Sequence, residues 1–280
     1  MRSRSAESAA LHVVRPTAAW GLPSFREVWQ FRELAYCLVW REIKVRYKQT
    51  ALGAAWAVVQ PFFTMVVFST FFGRLGRLPS ENLPYPLFAY CALLPWQLFA
   101  FVVAEASSSV VANQRLITKV YFPRLILPIV AVAVGVVDFG IAFAILVLMM
   151  GYYGVSPSLA MWTLPVWLLL AVAAALGAGL WLAALNVRYR DVRYTVPLLI
   201  QLWLFASPVA YPIAIVPPSW RTLYALNPMV GVIEGFRWAL LGTRGVSLPV
   251  AAVSAAAVAA AVVGGLVYFR RTERVFADLV

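Results

Sequence analysis

Histidine, cysteine and lysine are scarce in this chain of 280 residues: one His, two Cys, and the three lysines Lys44, Lys48 and Lys119. The lone His12 leaves no histidine set for a metal or a general base. No lysine follows a Gly-x-x-x-x-Gly-Lys-[Ser/Thr] pattern, so the chain is not its own ATPase by that mechanism. No serine stands in a Gly-x-Ser-x-Gly turn, and no large polar domain of the kind that carries sugar-transfer chemistry is present. Charge is also sparse. Only 12% of residues are charged, against about 25% in soluble domains, while 63% are apolar and mean hydropathy is +0.82. A soluble single domain is therefore excluded. The net charge of +12 does not point to nucleic acid, because the basic residues lie between apolar runs rather than on one continuous face.

What the chain has instead is apolar runs long enough to cross about 30 Å of hydrocarbon. Six are expected, over 53–73, 87–111, 125–151, 162–186, 194–215 and 248–269. Their flanking charges orient them. Arg74, Arg77, Arg221, Arg237 and Arg244 fall on one side, and the other eighteen of the 23 Lys and Arg fall on the opposite side or before the first run. Basic residues are retained in the cytoplasm, so both termini are expected there. Met1–Leu22 has Arg2 and Arg4 but no apolar stretch, so it reads as a cytoplasmic tail and not as a cleaved signal. Cys37 and Cys91 fall on opposite sides of the bilayer in this topology and cannot pair. The expected divisions are a tail over 1–23, an interface helix over 24–49, a six-span domain over 50–270 and a cytoplasmic end over 271–280. The fold class is all-α and integral to the membrane.

The interface helix is read from periodicity. Arg26, Gln30, Glu33, Cys37, Arg41, Lys44 and Lys48 recur at steps of three and four and make one polar stripe. Trp29, Trp40 and Tyr47 suit the headgroup zone, and such a helix lies in the plane of the interface. It serves either as a topology anchor or as a surface for a cytoplasmic partner.

Polar and broken places inside the apolar runs are candidate functional positions. Glu105 and Asp138 are intramembrane carboxylates, which are costly and face a cavity, a partner or a headgroup. Glu105 with Ser107, Ser108 and Ser109 is a candidate polar path, and Asp138 is a candidate for an interhelical hydrogen bond. Trp56, Phe62, Phe63, Phe88, Trp96 and Phe99 are candidate path residues, because aromatic faces bind the apolar C–H faces of sugar rings. They are equally ordinary packing and lipid anchors. Between spans five and six, Ser207-Pro208 to Tyr211-Pro212, Pro217-Pro218 and Asn227-Pro228 interrupt an apolar stretch. Short re-entrant helices fit that pattern. Pro208, Tyr211, Glu234 and Arg237 are candidates for an outer gate, with Glu234 and Arg237 three apart on one helix face; a simple outer cap is the alternative.

Several stretches together resemble a known family. They are Val39-Trp40-Arg41-Glu42-Ile43-Lys44-Val45-Arg46-Tyr47-Lys48-Gln49-Thr50, Leu52-Gly53-Ala54-Ala55-Trp56, Ile117-Thr118-Lys119-Val120-Tyr121-Phe122-Pro123-Arg124, Leu185-Asn186-Val187-Arg188-Tyr189-Arg190-Asp191-Val192-Arg193, and Leu226-Asn227-Pro228-Met229 with Glu234-Gly235-Phe236-Arg237. The chain resembles the membrane permease subunit of type-2 ATP-binding-cassette exporters for polysaccharides, nearest the O-antigen branch. The resemblance implies a homodimer in the bacterial inner membrane, bound to two copies of a separate ATPase that holds ATP and magnesium. This chain then binds no cofactor or metal and performs no bond chemistry. The resemblance further implies that Ala112–Pro123, with Asn113, Gln114, Arg115 and Lys119, docks into the ATPase. It implies re-entrant gate helices over about 217–241 and a polyprenyl-diphosphate-linked glycan as substrate, with Arg41, Lys44, Arg46 and Lys48 placed to attract the diphosphate. The competing expectations are a type-2 exporter of another amphiphile, such as a drug or lipid, and a proton-coupled carrier working through Glu105 or Asp138.

Overall fold

The computed structural model describes residues 25–48 and 53–273, with Phe276 beyond them. The tail expected over 1–23 and most of 271–280 lie outside the described residues, as do the side chains of Phe25, Arg26 and Ala54. Of the described residues 81% are helical, and no strand occurs among them.

Among the described residues, five helices are long and apolar enough to cross a membrane. They are α3 (Trp56–Phe68), which continues as a π-helical turn to Leu75, α4 (Tyr85–Ala112), α6 (Ile126–Tyr153), α7 (Leu164–Arg188, led in by a 3₁₀ turn from Leu159) and α11 (Leu248–Glu273). Ahead of them lie α1 (Phe25–Gln30) and α2 (Arg32–Lys48), separated by a turn at Phe31. The remaining helices are α5 (Gln114–Ile117), α8 (Val192–Phe205), α9 (Pro218–Tyr224) and α10 (Pro228–Leu241).

The apolar run expected as a fifth span, 194–215, is helical only as far as Phe205. At 14 residues, α8 is about 21 Å long, short of the hydrocarbon thickness. The helix stops because Pro208 cannot continue the hydrogen-bond ladder, and the residues beyond it take another role described below. Short helices do stand where the interrupted stretch was expected to form them, as α9 and α10.

Central to the fold is α4. Its apolar window is 78% buried, against 17 to 44% for the other four long helices. It is flanked by α3, α6, α7 and α10, and α7 in turn packs along α11. Of these, α3, α6 and α7 each keep an open apolar face, as lipid-facing helices do, while α10 is buried along nearly its whole length. Small residues allow the closest approaches. A Cβ on Gly177 of α7 would lie 2.8 Å from the Val262 backbone nitrogen of α11, and one on Gly235 of α10 would lie 2.2 Å from the Trp167 ring. Buried Asn186 of α7 donates to the Ser107 carbonyl of α4 at 2.9 Å, so the one polar side chain in that stretch is satisfied between helices.

One end of the bundle gathers the basic residues. There Arg124 donates to Glu273 through its backbone N–H at 3.1 Å and through its guanidinium, and Arg270 approaches Glu27 at 3.8 Å. These contacts bring α1, the start of α6 and the end of α11 to the same face. A second apolar cluster lies beneath them, with Leu38, Val110, Ile117, Phe122 and Phe276 at its centre.

Candidate functional site

The interface helix α2 buries Leu38 and packs Leu34, Ala35, Val39 and Ile43 into the apolar cluster at the basic end. Its opposite face exposes Glu33, Cys37, Arg41, Lys44 and Lys48, which with exposed Gln30 of α1 are the described members of the stripe expected from periodicity, interleaved with Trp29 of α1 and with Tyr36 and Trp40. The four basic residues in the second half of that helix differ in what they hold. Arg41 donates from Nη2 to Asn113 Oδ1 at 3.0 Å and pairs with Glu42 at 2.6 Å. The Lys44 ammonium lies 5.3 Å from the Trp40 ring centre, and Lys48 is exposed. Arg46 turns inward, pairing with Asp138 of α6 at 2.8 Å and covering the Phe101 ring at 4.4 Å. The neighbouring Tyr47 hydroxyl donates to the other carboxylate oxygen of Asp138. Burial and the Asp138 carboxylate push the Tyr47 phenol upward, so it stays a proton donor to that carboxylate.

Asp138 is therefore a partnered carboxylate, as intramembrane acids generally are. Glu105 is placed differently. It borders a cavity of about 190 Å³ between α2, α4 and α6, with Arg41, Glu42, Arg46, Ser108 and Asn113 on the same walls. The candidate polar path through Glu105 and Ser108 thus opens onto the interface helix.

The segment Ala112–Pro123 leaves α4 through Asn113, whose amide donates back to the Ser109 carbonyl at 2.9 Å. It then makes the single turn of α5. Ile117 and Phe122 anchor it in the apolar cluster, while Gln114, Arg115 and Lys119 are exposed. An apolar underside with an exposed basic top suits a segment that docks against another surface. The Arg41–Asn113 bond ties this segment to α2, and the Arg46–Asp138 pair ties α2 to α6, so the three form one mechanical unit.

The aromatic candidates separate into two groups. Trp56, Phe62 and Phe63 on α3 are exposed. Phe88, Trp96 and Phe99 on α4 are buried in the core, the last packed edge-on against Trp203 at 4.9 Å. These three have no face free within the protomer.

At the other end of the bundle, the four outer candidates are brought together. Arg237 of α10 is fully buried. Its Nη1 donates to the Pro208 carbonyl at 2.7 Å, the Tyr211 carbonyl at 3.3 Å and Glu234 Oε1 at 3.1 Å, and its Nη2 donates to the Val209 carbonyl at 2.7 Å. The guanidinium lies 3.6 Å from the Phe88 ring centre. Glu234 also accepts from the Ile213 backbone N–H at 3.2 Å. The turn after α8 has no ladder of its own, and this one ion pair supplies its carbonyl and amide partners. Around it, Asn227 caps α10 by accepting from the Met229 N–H at 3.1 Å, accepts from Trp203 at 2.9 Å, and donates to Ser207 at 2.9 Å. Tyr85 donates to the Ala210 carbonyl at 2.6 Å, and Tyr211 and Tyr224 share a hydroxyl contact of 2.9 Å. Sequence reasoning singled out the Glu234–Arg237 spacing but not Tyr47, Tyr85 or Phe88 as partners. Of this second group only Asn227 carried a signal, as a helix cap ahead of a proline.

Residues 33–241 match the ABC-2 type transporter family. The chain belongs to that family. The matched range runs from the interface helix to the end of α10 and so contains every contact described above except those of α11 and Glu27. Among curated proteins, the chain is 34% identical over 215 residues to an O-antigen export system permease protein RfbA of Myxococcus xanthus, covering 76% of this chain and 82% of that one. It is 29% identical over 198 residues to an O-antigen export system permease protein RfbA of Klebsiella pneumoniae, covering 70% and 76%. It is 24% identical over 219 residues to a polysialic acid transport protein KpsM of Escherichia coli, covering 74% and 82%. A multi-pass membrane chain of this family is a transport subunit, and its family implies an ATPase subunit as partner.

Proposed function

We propose that this chain is the membrane subunit of an ATP-driven exporter for a polyprenyl-diphosphate-linked glycan of the O-antigen kind. The observation that carries the reading is the match to O-antigen export permeases over three quarters of the chain. Two copies form the path at their interface, each with six crossings, α8 and the turn after it making the fifth. They lie in the bacterial inner membrane with both termini in the cytoplasm. Two copies of a separate ATPase bind ATP and magnesium. When the ATPase subunits close, Gln114, Arg115 and Lys119 receive the motion. Asn113 passes it to Arg41, and Arg46 passes it to Asp138 and α6. Arg41, Lys44 and Lys48 draw the lipid diphosphate to the inner face, which opens the path to the glycan. The re-entrant pair α9 and α10 closes the outer end.

A proton-coupled carrier draws no support from Asp138, since Arg46 and Tyr47 already hold it. The test is purification of the tagged chain from its host in mild detergent, followed by mass spectrometry and ATP hydrolysis. A stoichiometric ATPase is expected to co-purify. The R115A/K119A double variant is expected to lose transport-coupled hydrolysis. An intact chain with no ATPase, or full coupling in the double variant, would overturn the assignment.

A further inference from the structure

A second cavity, of about 320 Å³, lies between α3, α4, α6 and α8. Its size is at the small end of ligand pockets. Its polar lining is Gln60 of α3, Gln97 of α4, and the Arg46–Asp138 pair, with Trp56 on the α3 wall. Gln97 stands twelve residues into the 28-residue α4 and Asp138 twelve residues into the 28-residue α6. Each is thus about 18 Å from its helix end, while Gln60 stands four residues into α3, about 6 Å from its start at Trp56, so all three lie within the depth of the long apolar helices. Neither exposed Gln60 nor half-buried Gln97 makes a side-chain hydrogen bond among the described residues, whereas Asn186 and Asn227 each bond to a neighbouring helix or turn. Polar side chains at that depth that no helix satisfies are functional by default.

The chemistry of the walls selects an occupant. An amide offers two donors and an acceptor, so two amides can meet hydroxyl groups in either sense. Among the described residues, Asp138 and Arg46 are the only charged ones on the lining and neutralise one another at 2.8 Å, so the described walls have no net charge with which to select an ion. An aliphatic chain in it would leave both amides unpaired, which is unfavourable. Half-exposed Trp56 supplies one apolar face. One apolar face, neutral donors and acceptors around the rim, and room for a single ring describe a site for a neutral pyranose.

We propose that this cavity is a subsite among the membrane-crossing helices for one sugar ring of the transported chain, with Gln60 and Gln97 as hydroxyl ligands and Trp56 as the stacking face. The proposal rests on the reading of the chain as a glycan-export permease. It gives the path a discrete resting position at each protomer, held by hydrogen bonds that the next ring can take over.

The experiment places the photoreactive amino acid benzoylphenylalanine at residue 56, and in parallel at residues 62 and 63, in the full transporter in its host. Cells are irradiated, and the purified chain is stained for periodate-reactive glycan. A glycan ladder attached through residue 56 is expected. Q60L or Q97L is expected to reduce it about fivefold each, the equivalent of one lost hydrogen bond of about 1 kcal/mol. Q201L, which removes an exposed amide outside the cavity, is expected to leave it unchanged. Should Q97L fail to accumulate, Q97M, unbranched like glutamine, replaces it. A ladder through residues 62 and 63 but only lipid adducts through 56, or a ladder through 56 indifferent to Q60L and Q97L, overturns the subsite. No glycan adduct at any of the three positions overturns the export reading beneath it.

Discussion

Replacing Arg237 by alanine should open the turn after α8 while leaving the long helices in place. The guanidinium is wholly buried and reaches three backbone carbonyls and the Glu234 carboxylate at 2.7 to 3.3 Å. Alanine would strand Glu234, which is only 3% exposed, without its counter-ion. Breaking a buried pair from one side costs about 3–5 kcal/mol. The orphaned carbonyls of Pro208 and Val209 add to this cost and water reaching them from the outer surface offsets the addition, which leaves the expected cost near the middle of that range. About 4 kcal/mol corresponds to roughly a thousandfold rise in local opening. R237K keeps the charge but not the planar fork, so it should fall between wild type and R237A. E234Q keeps an acceptor oxygen for both Ile213 and Arg237 and should cost about 1–2 kcal/mol. Hydrogen exchange by mass spectrometry on peptides spanning 205–214 reads this directly. The reasoning fails if R237A leaves protection of that segment within about threefold of wild type, or if E234Q is as damaging as R237A.

Three further outcomes are expected. D138A should free the end of α2: Arg46 is 36% exposed and Asp138 14%, so the pair is worth about 1–2 kcal/mol after screening, and trypsin cleavage at Lys48 should rise about tenfold, with no change counting against the clasp. N113A should leave ATPase binding intact while lowering substrate-stimulated hydrolysis, since the docking face keeps Gln114, Arg115 and Lys119 and loses only the link to Arg41; stimulation equal to wild type would rule the link out. G177V should force α7 and α11 apart, because even a Cβ there sits 2.8 Å from backbone, lowering stability by about 1–3 kcal/mol in detergent unfolding, whereas G140A, with nothing within 4 Å, should be neutral.

The sequence made the long helices legible because each is an unbroken apolar run, and burial of the backbone in lipid permits little but a helix. Its limits have definite causes. The break at Ser207-Pro208 in the 194–215 run was legible as a proline interruption, but nothing local showed that the Arg237 side chain would hold the turn beyond Phe205. The aromatics are equally apolar in either role, so nothing local separates exposed Trp56, Phe62 and Phe63 from buried Phe88, Trp96 and Phe99. Asp138 was visible as an anomaly, yet its partners lie ninety residues earlier, on a helix outside the span. By contrast, Glu234 and Arg237 lie one helical turn apart, and a local spacing was enough to pair them.

The two cysteines now differ in a way that has practical use. Cys91 is fully buried in α4, and Cys37 is exposed on α2 one turn before Arg41. The unmodified protein thus presents a single addressable thiol, and it sits on the helix that Arg41 joins to Asn113 of the segment proposed to face the ATPase. A fluorophore or spin label attached there, with no engineered residue, would report the tilt of that helix through the transport cycle.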